Sequence, residues 1–214
     1  MRIILDISSN TTKNDDDYVK LMLDELKKVD TGKHEIIIKG QLFQEAGKNI
    51  VMTQKHFDFM YQYSHKLGYD CTASVFDKES LAFLLSYEVP FIKIANNPDL
   101  YWLIDEIPRG IEVYVSSDNR GYLPTHGQYT ILNCMSLYPA TIENYNVAYR
   151  RLNTSSAFGR EHHYPYTVSD HTSGLELVKE YKPNIWEKHY KLKDSTGLDA
   201  GTWAITPEEL AEIL

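Results

Sequence analysis

Polar side chains two positions apart recur in the β-rich stretches of this sequence. The pairs are Lys39 and Gln41, Ser169 and His171, and Glu187 and His189. Residues two apart in a strand lie on one face of it, so both members of a pair can enter the same site. Polar groups buried in a core are costly unless they meet a ligand, a metal or one another. The spacing therefore predicts a polar site built from several strands.

The two histidines of these pairs suggest a metal site. His171 and His189 fall on neighbouring predicted strands, so their rings could converge within reach of one ion. Two histidines with open coordination positions favour a catalytic divalent ion over a closed structural zinc site. A histidine in a strand is also commonly a core residue, and spacing alone leaves that alternative open.

Two lysines suggest an anion site. Lys39 and Lys93 each stand near a strand end inside isoleucine-rich sequence. A single strand lysine usually extends its head group to water, but two in this position favour an anion-binding role. Other predicted strands end in one polar residue, and these are Asp6 or Ser8, Ser74, Ser116 and Ser136.

The elements that must position these residues alternate regularly between strand and helix patterns. The predicted strands span 2–9, 34–41, 69–76, 91–96, 111–117, 129–136, 164–171 and 184–191. The predicted helices span 15–29, 54–67, 78–87, 100–107, 141–152, 174–182 and 206–214, and the linker 118–128 is expected to lack a full helix. Strict alternation predicts a parallel sheet, and eight units predict a closed α/β barrel of the (β/α)8 type. We expect one compact TIM-barrel domain over residues 1–214, with the active site at the carboxyl ends of its strands.

Composition excludes several classes of function. The chain has 214 residues and a formal net charge of −8, which disfavours a nucleic-acid binder. No apolar run approaches the roughly 18 residues of a membrane span. The two cysteines, Cys71 and Cys134, lie far apart in apolar sequence and are expected to be buried reduced thiols of a cytoplasmic protein.

Taken together, these segments resemble the catalytic barrel of the N-acetylneuraminate (sialic acid) synthase family. The resemblance is densest in VSDHT at 168–172, IWEKHY at 185–190 and GLD at 197–199. It continues in LNCMSLYP at 132–139, ASVFD at 73–77, VPFIKIA at 89–95 and KGQ at 39–41.

The resemblance implies a reaction and a role for each residue. It implies condensation of phosphoenolpyruvate with N-acetylmannosamine or a related amino sugar, with a divalent metal, usually Mn²⁺, with Mg²⁺ or Co²⁺ as alternatives. His171 and His189 would hold the metal, and Glu187 could place the water that adds to phosphoenolpyruvate. The implied phosphoenolpyruvate ligands are Lys39, Ser74, Lys93, Ser136 and Ser169, with Asn96 where the family often has serine. The residues implied to face the sugar are Gln41, Tyr138, Glu187 and Asp199.

The sequence departs from the family pattern in places that concern the sugar. The family's acidic residue after the first strand is missing from the stretch 10–13, and the linker near Ser116 is altered. Family members carry a C-terminal antifreeze-like domain that is not in this sequence. The expected partners are therefore a second copy of the chain or a separate chain that supplies this domain.

Two other functions remain open. A class I aldolase would use Lys93 or Lys39 to form a Schiff base, although the paired histidines argue against it. A catalytically degenerate barrel would bind a sugar or a partner protein without turnover. The loss of the first-strand acid motivates this second alternative.

Overall fold

Eight parallel strands close into a barrel because the first strand pairs with both the second and the eighth. This is seen in a computed structural model, which describes residues 1–10, 13–42, 50–118, 128–145 and 166–214. The strands are β1 (Arg2–Asp6), β2 (Glu35–Gln41), β3 (Asp70–Val75), β4 (Ile92–Ile94), β5 (Val113–Ser117), β6 (Thr130–Cys134), β7 (Thr167–Asp170) and β8 (Ile185–Tyr190). The predicted (β/α)8 barrel and all eight of its strands are confirmed, with ends up to three residues inside the predicted bounds.

Helices connect the strands on the outside of the barrel. They are α1 (Asp16–Val29), α2 (Gln54–Leu67), α3 (Lys78–Leu84), α4 (Leu103–Glu106), α5 (Glu176–Tyr181) and α6 (Pro207–Leu210). In α1 the Asp15 side chain accepts a hydrogen bond from the Tyr18 N–H, so the Asp15–Asp17 run begins a helix as predicted. The apolar face of α1 is buried through Val19, Met22, Leu23 and Leu26. None of the helices described here has the length and apolarity needed to cross a bilayer.

Several predictions about elements need correction or lie outside the described residues. The predicted helix 100–107 is split into a 3₁₀ turn at Pro98–Leu100 and the short α4, and α3 stops three residues early. The last helix, predicted to reach residue 214, ends at Leu210 as α6. A ninth strand, β9 (Ala204–Ile205), pairs with β8 and was not predicted, because two residues carry no periodicity. Residues 142–145 are helical, but the rest of the predicted helix 141–152 and most of the linker 118–128 lie outside the described residues.

Inside the barrel, an apolar layer forms the floor beneath the site. It contains Ile4, Ile37, Phe91, Tyr114 and Leu132, all fully buried, with Ile185 packed against them. Strand side chains alternate between the two faces, so the next inward-facing residues stand two positions further along each strand. Those residues are Asp6, Lys39, Lys93, Ser116, Cys134 and Glu187. Within two residues, the barrel interior thus changes from an apolar layer to a charged layer, in which Asp6, Lys39, Lys93 and Glu187 are ionisable.

Candidate active site

The charged layer forms the base of a cavity of about 450 Å³ at the carboxyl ends of the strands. All twelve residues singled out from the sequence line this one cavity. They are Lys39, Gln41, Ser74, Lys93, Asn96, Ser136, Tyr138, Ser169, His171, Glu187, His189 and Asp199. The structure therefore brings together the side chains that the sequence placed on separate strands, while their individual roles stay predictions.

Lys39 is held by a carboxylate that the site prediction did not include. Its Nζ donates to Oδ2 of Asp6 at 2.5 Å and to Oγ of Ser74 at 3.1 Å. Burial by itself lowers the pKa of Lys39, but the carboxylates of Asp6 and Glu187 outweigh burial and raise it. Burial likewise raises the pKa of Asp6, and the charge of Lys39 reverses that effect. Both groups are therefore ionised at neutral pH.

The positive charge of Lys93 is less well balanced by nearby carboxylates than that of Lys39. Its Nζ donates to Oγ of Ser116 at 2.7 Å and to the carbonyl oxygen of Ile94 at 3.1 Å. Oε1 of Glu187 lies 3.7 Å away. Burial lowers the pKa of Lys93, and the Glu187 carboxylate only partly opposes this effect. The positive charge of Lys93 is therefore only partly balanced, and a bound anion would stabilise it.

Glu187 lies between the two lysines. Its Oε1 atom is 4.0 Å from Nζ of Lys39 and 3.7 Å from Nζ of Lys93, and it accepts a hydrogen bond from Ser169 at 3.0 Å. Its Oε2 atom is buried and has no hydrogen-bond partner among the residues described. A buried carboxylate oxygen of this kind is ready to accept a proton or a hydrogen bond from a bound molecule.

The two histidines converge one layer above, at the mouth. Their ring centroids are 5.6 Å apart. Nδ1 of His171 lies 2.6 Å from the carbonyl oxygen of Met135, which can only accept, so Nδ1 carries the proton and Nε2 keeps its lone pair. Burial, followed by the nearby His189, holds the pKa of His171 well below its ordinary value. His171 is thus neutral, the form that ligates a metal.

These two residues fit a divalent metal ion. A carbonyl that fixes the tautomer of one imidazole is the usual outer-shell support of a ligating histidine. Nδ1 of His189 is buried and unpartnered in the described part of the chain. No group of three or more His, Cys, Asp or Glu side chains suited to a metal occurs in that part either. Further ligands would therefore come from water or substrate, as in an open catalytic site.

A buried network on the outer side of the barrel fixes the two strands that carry the histidines. Asp170 and Lys188 alternate with the site residues on β7 and β8 and form an ion pair at 3.2 Å, both without exposed side-chain area. Asp170 also accepts hydrogen bonds from Trp186 Nε1 at 2.9 Å and from the Thr172 N–H at 2.8 Å. Lys188 donates to the carbonyl oxygen of Thr172 at 2.6 Å. These bonds stabilise the register that turns His171 and His189 inward.

The rim of the cavity combines polar and aromatic groups. Asn96 donates to Ser136 at 2.9 Å. Tyr138 stacks on His171 with ring centroids 4.2 Å apart. The backbone N–H of Asp199 donates to Ser9 at 3.0 Å, and burial raises the pKa of the Asp199 carboxyl to about 6. Asp199 therefore exchanges protons close to neutral pH.

Several further residues, to which the sequence assigned no role, line the cavity. They are Asp6, Phe76, Ala95, Asn97, Leu100, Ser116, Cys134, Leu198 and Trp203. The sequence indicates Asp6 and Ser116 only as polar residues near strand ends. Trp203 carries no such signal, because its position depends on the short strand β9. An acidic residue is thus present at the end of β1, at Asp6, while positions 11 and 12 lie outside the described residues.

Solved structures share this architecture. A sialic acid synthetase from Leptospira borgpetersenii, solved with citrate, has a TM-score of 0.73 and 24% identity, over 99% of this chain and 80% of that one. A putative spore coat polysaccharide biosynthesis protein E from Chromobacterium violaceum has a TM-score of 0.78 and 16% identity, over 99% and 72%. A truncated 3-deoxy-D-arabino-heptulosonate 7-phosphate synthase from Thermotoga maritima has a TM-score of 0.68 and 10% identity, over 100% and 83%. At these identities the likeness establishes the fold.

The family follows from the sequence comparison. No curated protein matches the chain. The model of the NeuB family matches residues 103–214, which is more than half of the chain and includes β5 to β9 with both histidines. This protein is therefore a member of the NeuB family.

Proposed function

We propose that this protein condenses phosphoenolpyruvate with N-acetylmannosamine or a related amino sugar, in a metal-dependent reaction that yields a 2-keto sugar acid and phosphate. The observation that carries the proposal is the pair of buried lysines on either side of Glu187, directly below two converging histidines. Membership of the NeuB family and the sialic acid synthetase fold support it.

The lysines suit a substrate with several negative charges. Lys93 has neutral hydrogen-bond acceptors and one carboxylate at 3.7 Å, so an incoming phosphate or carboxylate would gain a charge-assisted bond there. Lys39 would provide a second cation, already oriented by Asp6. Hydroxyl groups of Ser74 and Ser136 lie in the same cavity and can donate to the remaining oxygens. Ser169 lines the cavity too, but its hydroxyl donates to Glu187, so it would have to turn to reach the substrate.

The unpartnered Oε2 atom of Glu187 supports a role for this residue in proton transfer. When C3 of phosphoenolpyruvate bonds to the sugar aldehyde carbon, the C=O π bond breaks, the aldehyde oxygen takes up a proton, and C2 becomes electron-poor and adds water. Oε2 of Glu187 can take the proton of that water. Phosphate then leaves with the electrons of the C–O bond, and the C2 hydroxyl loses its proton to become the keto group. A divalent ion held by His171 and His189, Mn²⁺ or else Mg²⁺ or Co²⁺, would polarise the sugar aldehyde as a Lewis acid when bound.

Release of phosphate from phosphoenolpyruvate tests the proposal. The reaction contains Mn²⁺, with and without N-acetylmannosamine, and compares the wild type with His171→Ala. His65→Ala is the matched control, because His65 is exposed on α2. We expect sugar-dependent release in the wild type and the control, and none in His171→Ala. If the wild type bound neither Mn²⁺ nor phosphoenolpyruvate, the proposal would be abandoned.

The same experiment distinguishes an active synthase from the catalytically degenerate barrel. Binding of Mn²⁺ and phosphoenolpyruvate without release, across a panel of amino sugars, would favour a barrel that binds ligand without turnover. The proposal also includes a cytoplasmic location, in keeping with the free buried thiols of Cys71 and Cys134. A second copy of the chain is the partner we expect.

One observation favours a second candidate function. Burial lowers the pKa of Lys93 and so favours the unprotonated amine that a class I aldolase needs. Borohydride treatment with pyruvate would trap a Schiff base on Lys93 as a stable adduct in the mass spectrum. We rank this function second because it gives the histidine pair no part in the chemistry.

A further inference from the structure

His171 lies just beyond the strand pairings that position most of the site. The pairing of β7 with β6 ends at Ser169, and its pairing with β8 ends at Asp170. His189, the other proposed metal ligand, is itself paired with β1 on one side and with β9 on the other. The sheet therefore places His189, whereas the place of His171 depends on contacts outside the sheet.

One buried hydroxyl group, that of Tyr145, meets the backbone of His171. The Tyr145 side chain is 1% exposed, and its Oη atom accepts a hydrogen bond from the N–H of His171 at 2.9 Å. The same hydroxyl donates to the carbonyl oxygen of Ser169 at 2.7 Å and accepts from the N–H of Met135 at 3.5 Å. The bond to Ser169 uses the single proton of the hydroxyl. Because Tyr145 does not line the cavity either, it contacts the strand ends and not a substrate.

Met135 is also the residue that fixes the tautomer of His171. Its carbonyl oxygen lies 2.6 Å from Nδ1 of the imidazole. The hydroxyl of Tyr145 therefore joins the backbone of the histidine to the backbone of the residue that orients its ring. The carbonyl oxygen of His171 accepts from the N–H of Ala140 at 2.8 Å. These contacts together leave Nε2 of His171 with a free lone pair and a fixed direction.

We propose that Tyr145 is a positioning residue for the metal site, whose hydroxyl holds His171 in the orientation that presents Nε2 to a divalent ion. This inference rests on the proposed function and adds a residue outside the cavity on which the metal affinity depends. In Tyr145→Phe the aromatic ring still fills its place in the core. The N–H of His171 loses its acceptor, however, and the hydroxyl no longer joins it to Met135. Loss of an outer-shell partner typically weakens metal binding by about 10- to 100-fold.

Mn²⁺ affinity, measured by electron paramagnetic resonance of free Mn²⁺, tests the inference without any turnover. The proteins compared are the wild type, Tyr145→Phe and the control Tyr69→Phe. Tyr69 is a matched control because it is 4% exposed and its hydroxyl donates to Asp30 at 3.1 Å, and neither residue lines the cavity. We expect Tyr145→Phe to lose about 10- to 100-fold in Mn²⁺ affinity, and Tyr69→Phe to bind as tightly as the wild type.

Urea denaturation of the same three proteins separates positioning from a purely structural role. A structural role would lower the urea midpoint in both variants and leave the Mn²⁺ affinity of the folded protein unchanged, which would overturn the inference. Hydrogen exchange of the His171 N–H in the wild type, followed by NMR on protein labelled with ¹⁵N-histidine, needs no variant to fold. Slow exchange is expected, and exchange as fast as in an exposed loop would show that the hydroxyl does not hold this N–H.

These outcomes are distinct from failure of the proposed function. If Tyr145→Phe binds Mn²⁺ as tightly as the wild type, the role of Tyr145 is wrong and the proposed function stands. If the wild type binds Mn²⁺ but releases no phosphate with any amino sugar, the proposed function fails, and a tenfold loss in Tyr145→Phe still supports the positioning role. If the wild type binds no Mn²⁺, the metal dependence of the proposed function and the role of Tyr145 both fail.

Discussion

Nζ of Lys39 lies 2.5 Å from Oδ2 of Asp6, and the two side chains are 2% and 4% exposed. The register of β1 and β2 pairs their Cα atoms directly. The ion pair therefore results from the pairing of β1 with β2, and it places two opposite charges at the base of the cavity.

Removing the charge of Asp6 should be strongly destabilising. Asp6→Asn keeps the shape but leaves a buried ammonium group with weaker compensation, so we expect a loss of about 3 kcal/mol in the free energy of unfolding. Asp24→Asn is the matched control, because it breaks an exposed pair with Lys20 at 2.6 Å and should cost less than about 1 kcal/mol. Urea denaturation at pH 7.5 measures both. If Asp6→Asn and Asp24→Asn lost the same free energy of unfolding, the pair of Asp6 and Lys39 would be no stronger than an exposed one.

Lys93→Met should weaken binding of phosphoenolpyruvate without lowering the free energy of unfolding. The wild-type ammonium group is buried with partial compensation, so an apolar replacement of similar length should leave the fold as stable or up to about 1 kcal/mol more stable. Binding of phosphoenolpyruvate should weaken by about 10- to 100-fold, the value of a hydrogen bond to a charged group. Calorimetry and urea denaturation measure the two effects. An unchanged affinity would mean that Lys93 does not contact the substrate.

Lys93→Met also tests how the free energy of unfolding of the wild type depends on pH. Because burial lowers the pKa of Lys93 below 10.5, the folded state gives up this proton before the unfolded state does. Wild-type stability should therefore rise relative to that of Lys93→Met as pH increases through the lowered pKa and toward 10.5. Paired unfolding curves at intervals from pH 7 to 10.5, the ordinary pKa of lysine, measure the difference. A gap that stays constant over this range would count against the lowered pKa.

The pair of Asp170 and Lys188 should show strong coupling. Asp170→Asn leaves the fully buried Lys188 without its counter-ion, and we expect a loss of about 3–5 kcal/mol. Adding Lys188→Met to that variant removes the unpaired charge and should recover part of the loss, giving a large interaction energy in the double-mutant cycle. Additive losses in the cycle would show that the two side chains act independently.

Mn²⁺ binding should depend on both histidines. His171→Ala and His189→Ala each remove one of the two proposed protein ligands, so we expect the Mn²⁺ affinity to fall by more than about tenfold in either variant. Electron paramagnetic resonance of free Mn²⁺ measures this without any turnover, with His65→Ala as the control. Wild-type affinity in both variants would place the metal elsewhere.

Much of the site could be predicted from local sequence. Polar residues two apart, as in Ser169 with His171 and Glu187 with His189, share one strand face whatever the rest of the chain does. The alternation of strand and helix patterns predicts parallel strands, whose carboxyl ends gather at one end of a barrel. For these reasons the predicted strand residues line one cavity, which Asn96, Tyr138 and Asp199, implied only by the resemblance to the family, line as well.

Tertiary structure decided the rest. Pairing of β1 with β2 sets Asp6 beside Lys39, and only the closure of β8 onto β1 brings Glu187 to 4.0 Å from Lys39. The two-residue strand β9 is too short to have a periodicity, yet it brings Trp203 beside Tyr138 and the histidines. The physical reason is that strand-face alternation is set by adjacent residues, whereas ion pairs and ring contacts between distant strands exist only once the chain has folded.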